Sequence, residues 1–195
     1  AAYGNILPAG VLSIPSRGCV NIHPSLLPRY RGPSPVATAI LEGQERTGTT
    51  IILMDQGLDT GPILASTAVP IEEGATTDSL TPELFRLGAG LLVDKLPAWL
   101  EGNLASQPQD DSLATVTKML QKGDGEARWE LPAGELDRRM RAYTPWPGLF
   151  THWKGKALKL LTAVPLPDAS VADVGPGRVV ALEEPGIPVG VVTGS

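Results

Sequence analysis

Apolar positions along this chain recur with two different periods, and the change between them outlines its architecture. Short apolar runs bounded by Gly and Pro come first. The run from Ile6 to Leu12 leads toward residues 19–22, which read as a short buried strand; residues 47–55 and 63–71 read as two more. Between them, Pro35 near the start and Gly43 just past the end bracket a short helix over residues 35–42. From residue 77 to residue 100 the period becomes helical: Leu80, Leu84, Leu87, Leu91 and Leu96 recur on one face, with Pro82 in the first turn. Those leucines are expected in the core, and Pro97 is expected to kink or split the final turns.

Residues 102–115 have no apolar periodicity, and Gln107-Pro-Gln-Asp-Asp-Ser112 reads as a linker. Beyond it the texture changes. Residues 133–143 predict a short polar helix, Pro145-Trp-Pro-Gly148 a turn, and residues 149–153, 157–164, 177–182 and 189–193 a succession of short strands. Such a succession suggests a small barrel.

Composition narrows the picture. At 195 residues and 42% hydrophobic content, the chain can hold one large or two small domains of ordinary globular character. No run reaches membrane-spanning length. The opening residues lack a secretory pattern, so a cytoplasmic or organelle-matrix location is expected. The single Cys19 cannot form an internal disulfide and fits a reducing compartment. A net charge of −5 argues against a generic nucleic-acid-binding surface. Yet Arg138, Arg139, Arg141, Lys154, Lys156 and Lys159 fall in a stretch free of Asp and Glu, with Tyr143, Trp146 and Trp153 among them. Such a patch suits phosphate contact, although Trp and Tyr beside Pro145 and Pro147 equally suit packing at a domain junction.

The candidate chemistry lies at the strand ends. Asn21 and His23 are two residues apart on a strand, so both side chains leave from one face. They could simply hydrogen-bond a neighbouring loop. Asp59, however, sits on a tight loop at the end of another strand, where Gly57 and Gly61 allow positive φ and close backbone approach. An Asn, a His and an Asp thus converge. A zinc site is poorly served, since His23, His152 and Cys19 are the only His or Cys ligands in the chain. Ser25 near His23 lacks a Gly-x-Ser-x-Gly elbow and reads as a binding residue rather than a nucleophile.

The Asn-Ile-His-Pro-Ser-Leu-Leu-Pro stretch from Asn21, together with Gly-Leu-Asp-Thr-Gly from Gly57, resembles the folate-dependent formyltransferases. The continuation Arg29-Tyr-Arg-Gly32 and the remainder of the chain resemble the branch of that family acting on methionyl-tRNA. The resemblance implies an α/β fold: part of a Rossmann-like catalytic domain over residues 1–104, a linker over 105–118, and an OB-like barrel domain over 119–195. It also implies that a formyl group moves from 10-formyltetrahydrofolate to the amine of methionyl-tRNA, without a metal. Asn21 would donate to the developing oxyanion, His23 would shuttle the proton, and Asp59 would set the tautomer of His23 or favour its charged form. Ser25, Leu26, Leu27 and Pro28 would contact the folate, although Leu26 and Leu27 could equally be core.

Arg29 and Arg31, beside Tyr30, form either a solvated loop or the entrance for a polyanionic substrate. Arg141, Lys154, Lys156 and Lys159 would meet the tRNA. Relatives of this kind usually extend further at both ends, so the piece alone is expected to be inactive, and the full-length protein is expected to be a monomer. Two other readings stay open. One is a formyltransferase for a nucleotide sugar or another amine; the other is a truncated, non-catalytic RNA-binding protein.

Overall fold

The structure is a computed structural model that describes residues 7–166, 175–181 and 189–194. The chain divides into two compact units, Ala1–Leu120 and Gln121–Ser195.

The first unit opens with a one-turn helix, α1 (Ala9–Leu12), followed by strand β1 (Val20–His23), helix α2 (Pro35–Leu41), strands β2 (Arg46–Leu53) and β3 (Ile63–Pro70), and helix α3 (Thr77–Glu101). The three strands form one antiparallel sheet in the order β1-β2-β3. In its register Asn21 faces Ile52 and His23 faces Thr50.

Helix α3 lies against one face of this sheet. A Cβ at Gly88 would collide with Ile22 and Thr49, so the helix comes closest there and both side chains point toward it. Because strand side chains alternate, Asn21 and His23 must leave from the opposite face. That alternation separates the packing surface from the candidate site.

Helix α3 starts at a capping box, in which the Thr76 hydroxyl accepts the Ser79 N–H and Ser79 answers toward the Thr76 N–H. It stops at Gly102, whose φ of 80° is the left-handed ending that glycine takes without strain. Pro97 does not split it. The turn losing that hydrogen bond lies on the solvent side, where Val93 is 73% exposed. Only part of the leucine stripe is core. Leu80 and Leu84 are buried, Leu87 and Leu91 are half-buried, and Leu96 is exposed. A helix of 25 residues is about 37 Å long, whereas strands of up to eight residues reach about 27 Å. Even so, Leu92, Leu96 and Trp99 of its last turns line a small pocket together with Val20, Ile51 and Leu64 of the three strands.

The second unit contains helix α4 (Ala133–Ala142) and strands β4 (Leu149–Trp153), β5 (Lys156–Leu160), β6 (Val179–Ala181) and β7 (Val189–Val191). Leu136, Ala142, Tyr143 and Leu149 are buried. β4 and β5 form a hairpin whose two turn residues, Lys154 (φ 49°) and Gly155 (φ 76°), both take the left-handed conformation that matches strand twist. β6 pairs with β7. The expected OB-like barrel is not seen. Among the described residues both sheets of this unit are two-stranded and neither closes. β5 ends at Leu160, short of the expected residue 164, and Leu182 of the expected third strand lies outside the described residues.

Candidate active site

The site is built from two loops. After His23 the chain folds over itself: the Ser25 hydroxyl donates to the Arg29 carbonyl at 2.7 Å, and the Thr50 hydroxyl donates to the Ser25 carbonyl at 2.7 Å. Thr50 also accepts the Leu27 N–H at 3.2 Å, so β2 holds this loop from below. At its crest Tyr30 takes a left-handed conformation (φ 63°), which costs a non-glycine residue about 1–3 kcal/mol. Its N–H donates to the Thr115 hydroxyl at 2.8 Å, and its phenol donates to Glu42 at 2.5 Å. Those bonds hold the turn that aims the Tyr30 carbonyl at His23.

The second loop joins β2 to β3. Asp55 caps it by accepting the Gly57 N–H at 3.0 Å and the Thr60 hydroxyl at 2.7 Å. Neither Gly57 nor Gly61 uses the positive φ that glycine allows; Asp59 itself takes it, at 53°. The two glycines serve close approach instead. A Cβ at Gly61 would strike the Leu53 carbonyl, and one at Gly57 would strike Thr60.

These loops bring His23 and Asp59 together. His23 Nδ1 lies 3.5 Å from Asp59 Oδ2, with side chains 5% and 16% exposed. The same Asp59 oxygen accepts the Gly32 N–H at 2.8 Å. On the other side of the ring, Nε2 donates to the Tyr30 carbonyl at 2.8 Å. A carbonyl only accepts, so the neutral ring keeps its hydrogen on Nε2 and turns the Nδ1 lone pair toward Asp59. Burial pushes the His23 imidazole below its ordinary value of 6.5, while Asp59 and the Tyr30 carbonyl pull it upward. The ring is thus a neutral base whose protonated form would find an acceptor at each nitrogen. Asn21, half-buried on the same strand face, lies about 7 Å along β1.

The other expected site residues divide. Ser25 and Leu27 are buried in the loop, whereas Leu26 and Pro28 are half-buried. Arg29 is exposed, with its guanidinium 4.9 Å from the centre of the Tyr30 ring. Arg31 is buried, and its Nη2 donates to Asp111 at 2.7 Å and to Gln109 at 2.9 Å. In the second unit, Arg141 pairs with Asp137 at 2.8 Å. Lys154, Lys156 and Lys159 are exposed on the hairpin. Lys156 and Lys159 are three apart on β5, so they leave from opposite faces and do not form one patch.

The run read as a linker carries contacts that its composition concealed. Arg31 N–H donates to the Thr115 carbonyl at 2.9 Å, Thr117 N–H donates to the Arg31 carbonyl at 2.7 Å, and the Thr117 hydroxyl accepts the Ser34 N–H at 3.1 Å. The Thr115-Val116-Thr117 alternation is the signal that could have found them: Thr117 is buried and Val116 is 69% exposed.

Comparison with known proteins agrees with this architecture. A formyl transferase family model matches residues 1–96, and that of the formyl transferase C-terminal domain matches residues 119–195. A methionyl-tRNA formyltransferase of Chloroflexus aggregans is 53% identical over 196 residues, covering 100% of this chain and 62% of that protein. The corresponding protein of Myxococcus xanthus is 44% identical, covering 100% of this chain and 61% of its own length. The chain thus spans about three fifths of the length of these relatives. Among solved structures, HypX from Aquifex aeolicus in complex with tetrahydrofolic acid is similar at a TM-score of 0.67 and 23% identity, over 84% of this chain and 28% of that one. An N-formyltransferase from Helicobacter canadensis, in complex with folinic acid and dTDP-3-aminofucose, is similar at a TM-score of 0.64 and 21% identity, over 73% of this chain and 52% of that one. At these identities the structural likeness speaks to fold alone. The chain belongs to the formyl transferase family.

Proposed function

We propose that the full-length protein containing this chain transfers a formyl group from 10-formyltetrahydrofolate to the amino group of methionyl-tRNA. The observation that carries the chemistry is the His23–Asp59 pair at the end of β1, with Asn21 on the same strand face. The choice of acceptor rests on the relatives named methionyl-tRNA formyltransferase, which match the whole chain at 44–53% identity.

In this reading the neutral amine attacks the formyl carbon, the bond from that carbon to N10 of the folate breaks, and one proton passes from the amine to N10. The Asn21 amide donates to the carbonyl oxygen as negative charge develops on it. His23, kept neutral by burial, takes the proton at Nδ1 and returns it to the leaving nitrogen. Asp59 faces that nitrogen and stabilises the ring while it is charged. No covalent enzyme intermediate is needed.

The wider expectations belong to the same reading. Leu26 and Pro28 are the partly open members of the Ser25–Pro28 segment and would face the folate. Residues 1–104 would be the catalytic portion, of Rossmann-like descent; residues 119–195 would be part of an OB-like domain, in which exposed Lys154 and Lys156 meet tRNA phosphates. A monomer in the bacterial cytosol fits such a task. Likeness to a sugar formyltransferase fold supports a second reading, with a nucleotide-linked amino sugar as acceptor. The test offers the full-length protein 10-formyltetrahydrofolate with methionyl-tRNA or a dTDP-amino sugar. Formyl-methionyl-tRNA is the expected product, and exclusive formylation of the sugar would overturn the first reading.

A further inference from the structure

We propose that Gln109 is a positioning residue for the His23–Asp59 pair, acting as a single amide clamp between the two loops that form it. Its Nε2 donates to the carbonyls of Asp59 and Gly61, both at 2.8 Å. Its Oε1 accepts Nε and Nη2 of Arg31 at 3.1 and 2.9 Å. A primary amide offers two hydrogens and two lone pairs, and here all four are used.

The placement of this amide gives those bonds their meaning. Asp59 and Gly61 belong to the loop after β2, and Arg31 to the loop after β1. The distances that define the site, from Asp59 Oδ2 to His23 Nδ1 and to the Gly32 N–H, both cross the gap between these loops. Gln109 crosses it as well: it grips the backbone of Asp59 itself and the side chain of Arg31, the residue next to Gly32. Its own position is fixed on both sides along the chain. Gln107 exchanges backbone hydrogen bonds with Ile63 at 2.7 and 2.8 Å, and Thr115 and Thr117 bond the Arg31 backbone. Asp59 sits in a left-handed conformation that a free aspartate seldom keeps. An amide holding its carbonyl is a direct means of keeping it there.

The hydrogen bonds of Gln109 go to Arg31 and to the Asp59 and Gly61 carbonyls, not to His23 or the Asp59 carboxylate, so it acts through the Asp59 backbone. This assignment rests on the proposed role of the His23–Asp59 pair, and its test therefore includes a readout that does not depend on turnover. In the full-length protein, Gln109→Ala removes both halves of the clamp. Gln109→Glu keeps an acceptor for Arg31 but turns a carboxylate toward the Asp59 and Gly61 carbonyls. Both variants are expected to lower kcat about tenfold or more while KM for folate and for the amine acceptor stays within about twofold. Both are also expected to speed hydrogen exchange of the Gly32 amide about tenfold without changing exchange in α2.

Equal kcat in Gln109→Glu and the unaltered protein, or unchanged Gly32 exchange in both variants, would overturn the proposal. So would a loss of activity that disappears once corrected for the folded fraction. If the unaltered protein formylates no amine, the proposed function fails on its own, and Gly32 exchange still decides whether Gln109 holds the pair together.

Discussion

The carbonyl oxygen of Tyr30 accepts a hydrogen bond from Nε2 of His23 at 2.8 Å, and this bond fixes where the buried ring keeps its hydrogen. The side chain of Tyr30 does not make this bond, and its phenol, donating to Glu42, only helps to hold the turn. Its left-handed backbone does the aiming, held by the hydroxyl of Thr115, far along the chain. Nδ1 is left as the basic nitrogen, and Asp59 is the group that faces it.

The pH dependence of stability has a definite sign. Burial holds the folded-state pKa of His23 below 6.5, so under acid the unfolded chain binds a proton that the folded chain resists. The fold should lose stability as pH falls below 6.5, until the depressed folded value is passed. His23→Gln should flatten the fall in melting temperature across that window; an unchanged slope would remove His23 as its source. Asp59→Asn, which removes the charge raising the pKa, should move the His23 titration seen by NMR to still lower pH.

Two glycines of α3 should respond in opposite directions to the same change. Gly90→Ala meets nothing within 4 Å and should stabilise the fold by about 0.5–1 kcal/mol through helix propensity. Gly88→Ala places its methyl against Ile22 and Thr49. The resulting overpacking, about 1–3 kcal/mol, should outweigh that gain and destabilise. Denaturant midpoints check both signs.

Arg31 is enclosed by Gln109 and Asp111. Arg31→Ala strands the Gln109 carbonyl and should cost about 1–3 kcal/mol of stability. It should leave the salt dependence of tRNA binding unchanged, whereas Lys156→Ala should lower the slope of log affinity against log salt by roughly one unit. A reduced slope in the arginine variant would put Arg31 on the RNA surface after all.

Local patterns made part of this structure readable from sequence. The spacing of Asn21 and His23 gave their shared face, Pro35 and Gly43 bracketed α2, and the leucine period located α3. What stayed hidden depends on pairings between distant segments. Nothing near Gln109 signals that its amide closes on Asp59, and nothing near Arg31 signals that it is buried. Gly57 and Gly61 are the residues of this loop that adopt positive φ most readily, yet Asp59 adopts it, with the Gly32 N–H on its carboxylate and Gln109 on its carbonyl. Leu96 matches the helical period yet is 36% exposed, since periodicity carries no information about how completely the opposing surface covers a position.

The most direct measurement is transfer of labelled formyl from 10-formyltetrahydrofolate to methionyl-tRNA by the full-length protein and its Asn21→Ala and Asp59→Ala variants. The unaltered protein should form formyl-methionyl-tRNA. Asn21→Ala should lower kcat by about a hundredfold or more, the effect of losing an oxyanion donor, and Asp59→Ala should also be strongly impaired while still binding folate. Transfer at an undiminished rate in both variants would contradict the assignment of this site as the catalytic centre.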